Sequence, residues 1–266
     1  MRRLGTFHNG DVNPQWIDLE GAANARVVVP GVLLRSDNLQ SLTERDVRLL
    51  TAEEGVEVVL DLRTDIEVRL EGPGPLTRVP SLRIEHRSLY PDSGGNTDLE
   101  VDTVRPWQQL PDEGPPEEPP AVRAYLSYLQ RRPDSVVSSL RTIARAERAV
   151  LVHCAAGKDR TGVVVALALD AAGVTRPAIV ADYAASRERI EAILKRLRSS
   201  ATYRAELAGQ DPARSAPVAA TMERFLQFLD ERFGGAAAWL SARGLEPSDL
   251  DRLRTRVVGG AAAAVA

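Results

Sequence analysis

Residues 150–166 read VLVHCAAGKDRTGVVVA. Cys154, the single cysteine among 266 residues, stands there between an apolar run and a cluster of Gly157, Lys158, Asp159, Arg160 and Thr161. The run before it has the length and β-branching of a buried strand, and the Val- and Ala-rich stretch after it reads as a buried helix stopped by Gly173. Strand, polar loop and helix in that order predict an α/β fold with the loop at a strand's carboxyl end. Such a loop turns successive backbone N–H groups into one concavity, and the helix dipole adds positive potential. The stretch therefore predicts an anion cradle built from Ala155, Ala156, Gly157, Lys158, Thr161 and Gly162. Gly157 supplies the turn and the close backbone approach, and Arg160 a planar two-pronged contact for phosphate oxygens.

An ordinary thiol is only a few per cent ionised at neutral pH. A helix terminus stabilises an anion by at most ~2 kcal/mol, so a nucleophilic Cys154 needs the N–H cradle, Arg160 and Thr161 to act together. Five residues separate Cys154 from Arg160, a spacing that lets a closed loop hold a phosphoryl group between thiolate and guanidinium. The chemistry this predicts is attack by Cys154 on phosphorus, protonation of the leaving oxygen, and hydrolysis of the phosphocysteine by water, with no metal or other cofactor. A lone cysteine is more often a small apolar packing residue, but that reading leaves Gly157, Arg160, Thr161 and Gly162 unexplained. A phosphate-binding adaptor would have no use for the thiolate, and a sulfurtransferase is supported by the thiol alone.

Two carboxylates compete to be the acid. Asp159 lies inside the cradle beside Arg160, and Asp61 ends the strand in VVLDLR, where it could instead orient Arg160 by an ion pair. Trp107, Pro111 and Asp112 loosely resemble a Trp-Pro-Asp acid loop, but three residues part Trp from Pro, and a surface insertion is the better reading. Lys158 either faces the substrate or sits solvated at the rim. His153 is expected to position the loop by hydrogen bonding rather than act as a base, because successive strand side chains point to opposite faces. His8 and His86 have no partner at metal-ligand spacing. Arg35 and Arg63 fall at strand ends, with salt bridging the commoner role. Tyr183 and Ser186 read as helix-surface residues, and the basic run from Arg187 to Arg198 as a solvated face with Glu188 and Glu191 for partners.

The composition is 44% apolar, enough for a substantial core, and 34 basic against 37 acidic residues leave a net charge of −3. No basic excess points to nucleic acid. The lone cysteine fits a reducing compartment, and neither a signal-peptide core nor an apolar run of membrane-spanning length is present. A cytoplasmic protein is expected, and export without an N-terminal signal is compatible with it.

Outward from the loop, residues 27–34 (VVVPGVLL) read as two short strands around a Pro-Gly turn, and residues 41–55 as a helix N-capped by Thr43 and stopped by Gly55. A strand follows at 56–60, then a polar loop with Asp61, Arg63 and Asp65. Residues 90–120 hold seven prolines and eight acidic residues, which predicts an insertion at about 91–120, mobile or wrapped over the surface. Helices are expected at 121–129, 135–146, 177–198 and 218–233, and a last one N-capped near Ser248, before a frayed Gly/Ala tail at 259–266. The whole, 1–266, reads as a single domain.

HCAAGKDRTG resembles the His-Cys-x5-Arg-Thr/Ser-Gly signature of the cysteine-dependent protein tyrosine phosphatases, and its Gly-Lys-Asp-Arg-Thr-Gly form that of their atypical bacterial class. GVLLRSDNLQSLTERD, VVLDLRTDIE, ADYAASRERI and ERFGGAAAWLSARGLEPSDLDRLR resemble further blocks of that class, so the likeness covers roughly residues 16–258. Residues 24–27 keep two of four positions of its Asn-Phe-Arg-Asp-like block. The resemblance implies a central mixed sheet flanked by helices and a helical lid over the site. It also implies Asp159 as the acid, and phosphotyrosine as substrate beside phosphoserine, phosphothreonine and phosphoinositides.

Overall fold

The computed structural model describes residues 14–72, 74–91, 115–205, 207–209 and 211–263. Six strands form one sheet: β1 (Gln15–Trp16), β2 (Arg26–Val29), β3 (Leu33–Ser36), β4 (Val56–Asp61), β5 (Arg83–His86) and β6 (Ala149–His153), in the order β1-β2-β3-β6-β4-β5. The β1/β2 and β2/β3 pairs are antiparallel, whereas β3, β6, β4 and β5 run parallel. Strand β6 is buried along its whole length, as a strand covered on both faces must be. Period-two alternation divides it: Val150 and Val152 belong to the larger core under the helices, Ala149 and Leu151 to the smaller core under the N-terminal segment and Leu50.

Sheet register positions the site. Ser36 and Asp61 both align with His153, so three adjacent parallel strands end at one level. The loop after His153 emerges there, flanked by the turns after β3 and β4, in the crevice where open α/β sheets bind ligands.

Local chemistry accounts for the elements around it. Thr43 and Asp46 close a capping box on the helix Glu44–Arg48, which runs on as a π-helical turn, Leu49–Glu53, until Gly55 at φ +67° ends it. A second box, Thr64 with Glu67, starts the helix Asp65–Glu71 directly after β4, so the polar loop expected there is shorter than its composition suggests.

Several expectations need correction. The helix expected over 177–198 is two, Arg176–Ala185 and Ile190–Ser199, separated by a 3-10 turn at Ser186–Arg189. Ser186 is buried in that turn with its hydroxyl 3.2 Å from an Arg26 nitrogen. Ala236–Ser241 forms a helix the sequence reading did not anticipate. The final helix begins at Pro247, placing Ser248 inside its first turn, and continues to Ala263. Residues 259–263 are thus helical rather than frayed, and Gly260 lies so close to the β2–β3 turn that a Cβ would fall 2.7 Å from the Pro30 carbonyl oxygen. Of the proline-rich insertion, 92–114, with Trp107, Pro111 and Asp112, lie outside the described residues; its far end is anchored, since buried Glu118 pairs with Arg224. Among the described residues no helix is long and apolar enough to cross a membrane.

Candidate active site

The loop after β6 is shaped by what its carbonyl groups touch. His153 O accepts from the Leu62 N–H at 2.9 Å, and Ala155 O from the Asn38 N–H at 3.0 Å. The Asn24 amide donates to Ala156 O at 2.9 Å and to Gly157 O at 3.1 Å. Arg35 donates to Gly157 O at 2.7 Å and to Lys158 O at 3.3 Å. Even Cys154 O has a neighbour, His153 Nδ1 at 3.3 Å. C=O and N–H of a trans peptide point in opposite directions, so six carbonyls held in this way turn the N–H groups of residues 154–159 the other way. Gly157 sits at φ +64°, and a Cβ on it would fall 2.3 Å from Ser36 O, so the turn demands glycine on both counts.

The helix Asp159–Ala171 starts at once, without a side-chain cap. Its first N–H groups lack intrahelical partners and join the concavity, except at Gly162. The Gly162 N–H bonds Lys158 O at 2.9 Å, which corrects its expected part in the cradle. Its lack of a side chain serves packing, because a Cβ there would meet the Tyr183 ring at 2.9 Å. Thr161 Oγ1 is buried with no hydrogen-bond partner among the described residues.

Arg160, 8% exposed, makes a two-pronged pair with Glu67, NH1 to Oε2 at 2.6 Å and NH2 to Oε1 at 2.9 Å. Glu67 also accepts from the Thr64 N–H at 2.7 Å and the Tyr203 hydroxyl at 2.8 Å. Burial would raise the Glu67 pKa, but Arg160 and these donors hold it below the ordinary carboxylate value. Glu67, which the sequence reading missed, holds Arg160 in the role that was offered to Asp61 only as an alternative to the acid. Its one local signal, the Thr64-x-x-Glu67 spacing, reads only as a helix cap.

Asp61 faces elsewhere. Its oxygens accept from Arg63 Nε at 2.9 Å and NH2 at 2.6 Å, and despite burial His153 and Arg63 hold its pKa well below the usual range. It does not line the cavity. His153 lies with Nε2 3.6 Å from Asp61 Oδ1; burial outweighs that charge and lowers its pKa to about 4, so the ring is neutral at pH 7. Arg35 and Arg63 thus form ion pairs, and His86 Nε2 bonds Arg63 O at 2.6 Å.

Cys154, Ala155, Ala156, Lys158, Asp159 and Arg160 line one cavity of about 390 Å³. Tyr90, Tyr128 and Glu67 also line it, and Ile190, Ile193, Leu194 and Leu197 of the helix Ile190–Ser199, with Leu207, give it an apolar wall. Asp159 Oδ1 accepts from the Tyr125 hydroxyl at 2.5 Å, and Oδ2 lies 3.4 Å from Lys158 Nζ. Lys158 is not free at the rim: Nζ donates to Ser215 O at 2.7 Å.

Behind the loop, Asp182 binds Arg35 at 2.5 Å and Arg26 at 3.0 Å, and Arg26 donates to Asn24 Oδ1 at 2.6 Å. Asn24 and Arg26, the two positions kept from the N-terminal block, are therefore braces of the loop. Tyr183 and Ser186 are buried against this layer, not on a helix surface. The basic run also differs from expectation: Arg196 pairs with Asp37 at 3.2 Å, Arg187 donates to Pro217 O at 2.9 Å, and Arg189 lies over the Trp16 ring.

Comparison with known proteins agrees with this arrangement. The model of the tyrosine phosphatase family matches residues 18–259. The triple specificity protein phosphatase PtpB of Mycobacterium tuberculosis is 30% identical over 274 residues, covering 92% of this chain and 97% of the relative. A tyrosine-protein phosphatase of Nostoc commune is 29% identical over 242 residues, covering 89% of this chain and 77% of that protein. With a cysteine and an arginine lining one cavity over a loop of inward N–H groups, and a family match across nearly its whole length, the chain belongs to the tyrosine phosphatase family.

Proposed function

We propose that the chain hydrolyses phosphate monoesters, phosphotyrosine foremost, through a covalent phosphocysteine on Cys154, and that residues 1–266 act as one phosphatase domain. The observation that carries this reading is the outward fixing of the loop carbonyls from His153 to Lys158. It leaves the N–H groups of Ala155, Ala156, Gly157, Lys158 and Asp159 for the equatorial phosphoryl oxygens, preorganised before substrate arrives.

In the first step the Cys154 thiolate attacks phosphorus in line. The S–P bond forms as the bond to the leaving oxygen breaks, and Asp159 gives that oxygen its proton. In the second, water attacks phosphorus, the Asp159 carboxylate takes the water's proton, and the S–P bond breaks to release inorganic phosphate and the thiolate. Arg160 supplies positive charge to the transferring group, held in plane by Glu67. The unpartnered Thr161 hydroxyl is a donor left over for the thiolate. Asp159 takes the acid role over Asp61 because it lines the cavity, whereas both Asp61 oxygens are occupied by Arg63.

A second reading, phosphoinositide hydrolysis, is favoured by Lys158 and Arg214 lining the same cavity as an apolar wall, which suits a headgroup with more than one phosphate. The "triple specificity" of the mycobacterial relative supports a substrate range wider than phosphotyrosine.

The test is steady-state hydrolysis of a phosphotyrosine peptide and of a phosphoinositide panel by wild type and Cys154→Ser, with reductant and without added metal. Turnover of the peptide that vanishes in the variant is the expected result, and the ratio between panels decides between the two substrates. Tight binding without turnover on either panel would leave a phosphate-binding adaptor and sink the enzymatic reading.

A further inference from the structure

The two oxygens of Asp159 have different surroundings. Oδ2 lies 3.4 Å from the Nζ of Lys158, which like Asp159 lines the cavity, whereas Oδ1 accepts from the Tyr125 hydroxyl at 2.5 Å. Tyr125 does not line the cavity; it is 1% exposed, with its ring packed among Tyr128, Tyr183 and Phe225. Its oxygen has one more neighbour, the Tyr183 hydroxyl at 2.7 Å. A phenol has one proton to give. Since that of Tyr125 goes to Asp159, Tyr183 donates to Tyr125, and the chain of hydrogen bonds runs one way, Tyr183 to Tyr125 to Asp159. Burial and the neighbouring Asp159 charge keep both phenols protonated.

The geometry points to Tyr125 as the positioning residue of the proposed acid, with Tyr183 fixing the direction of its hydroxyl; the inference rests on the reading of Asp159 given above. Asp159 opens its helix, and its side chain is 38% exposed, so packing alone does not select its rotamer. A donor on Oδ1 does so, and it also decides which oxygen carries the proton. With Oδ1 accepting from Tyr125, the acidic proton resides on Oδ2, the oxygen turned to Lys158 rather than to the buried Tyr125. Oδ2 then gives that proton to the leaving group, and as a carboxylate oxygen takes one from water in the second step. Tyr125 keeps its own proton throughout.

Tyr125→Phe keeps the ring and removes the hydroxyl. The experiment compares kcat/KM for aryl phosphates with leaving phenols from strongly to weakly acidic, in wild type, Tyr125→Phe, Asp159→Asn and the double variant. A misplaced acid harms only leaving groups that need a proton. We expect about a tenfold loss on phosphotyrosine or phenyl phosphate and roughly twofold or less on the most acidic phenol, since general acids supply ~10²–10⁴-fold. In the Asp159→Asn background the substitution should change nothing further. Tyr183→Phe should give the same pattern at smaller size, and melting temperatures check that each variant is folded. Equal losses on all leaving groups, or losses that multiply in the double variant, would overturn the assignment and leave Tyr125 as packing. If Asp159→Asn itself shows no added leaving-group dependence, the acid reading falls, and this inference with it.

Discussion

The two sides of the cavity are held by different kinds of interaction. On the loop side, the six carbonyls from His153 to Lys158 meet donors from the turns after β3 and β4, from Asn24 and Arg35, and from the His153 ring, nearly all buried. Along the wall, the helix Ile190–Ser199 presents Ile190, Ile193, Leu194 and Leu197; its Arg196 pairs with Asp37, and past its end Ser200 bonds Glu71 and the buried Tyr203 hydroxyl bonds Glu67. Hydrogen bonds fix distance and angle, whereas apolar contact is non-directional and tolerates sliding. Geometric definition is concentrated where a phosphoryl group, the same in every substrate, would sit. The adaptable wall faces the part of a substrate that varies.

The hardest way to break this contrast is through Glu67. Glu67→Gln keeps the shape but leaves the buried Arg160 without its counter-charge. Removing one partner of such a pair costs about 3–5 kcal/mol, and a misdirected Arg160 should lower kcat/KM by about a hundredfold or more. Denaturant midpoints and steady-state rates check both. A loss of stability below about 1 kcal/mol would mean that the pair behaves as a surface salt bridge.

Next comes a pH effect that only the loop side should show. Burial lowers the His153 pKa from 6.5 to about 4, with Arg63 and Arg160 also opposing the charge and Asp61 favouring it. The unfolded chain therefore binds this proton before the folded one does. Stability from His153 is fully present above pH 6.5 and is lost as pH falls toward about 4, on the order of 3 kcal/mol across the window. His153→Gln should flatten this part of the stability profile from urea unfolding; an unchanged slope would place the titration elsewhere.

Asn24→Ala takes the donor from Ala156 O and leaves Gly157 O to Arg35 alone, for about 1–3 kcal/mol. It should weaken every substrate by a similar factor, since it alters the phosphate cradle. Ile193→Ala, on the wall, should instead change kcat/KM unequally across substrates with different leaving groups. Equal factors from both substitutions would erase the distinction between the two sides.

What the sequence disclosed follows the same division. The loop is contiguous, so Cys154, Gly157 and Arg160 carry their chemistry in a single stretch, and the apolar β6 run and the capped helices are local patterns as well. The partners are not local. Glu67 lies 93 residues from Arg160, and Asn24 lies 133 from Gly157; nothing in either neighbourhood points to the loop. Asp61 was legible as a strand-end carboxylate, but its pairing with Arg63, two residues on, depends on a strand end that buries both. Tyr183 sits in an Ala-rich helix, and Ser186 just past its end, where a weak amphipathic pattern does not show which face is covered, because the covering groups, Tyr125 and Arg26, come from remote elements.

The smallest expected effect separates the two sides most cleanly. The Lys158 ammonium is a direct tie between the loop and the segment after the apolar wall, donating to Ser215 O at 2.7 Å from a half-buried position. Lys158→Met keeps the aliphatic stem and removes that bond, together with the Asp159 ion pair. If the covering segment opens locally, independent of the sheet, only the local equilibrium should respond. Amide exchange around residues 211–217 should quicken by about tenfold, equivalent to ~1.4 kcal/mol, while exchange in β6 and the global denaturant midpoint hold steady. If the midpoint falls by that same amount, cover and loop unfold as one unit, and the difference between them lies in bonding alone, not in independent stability.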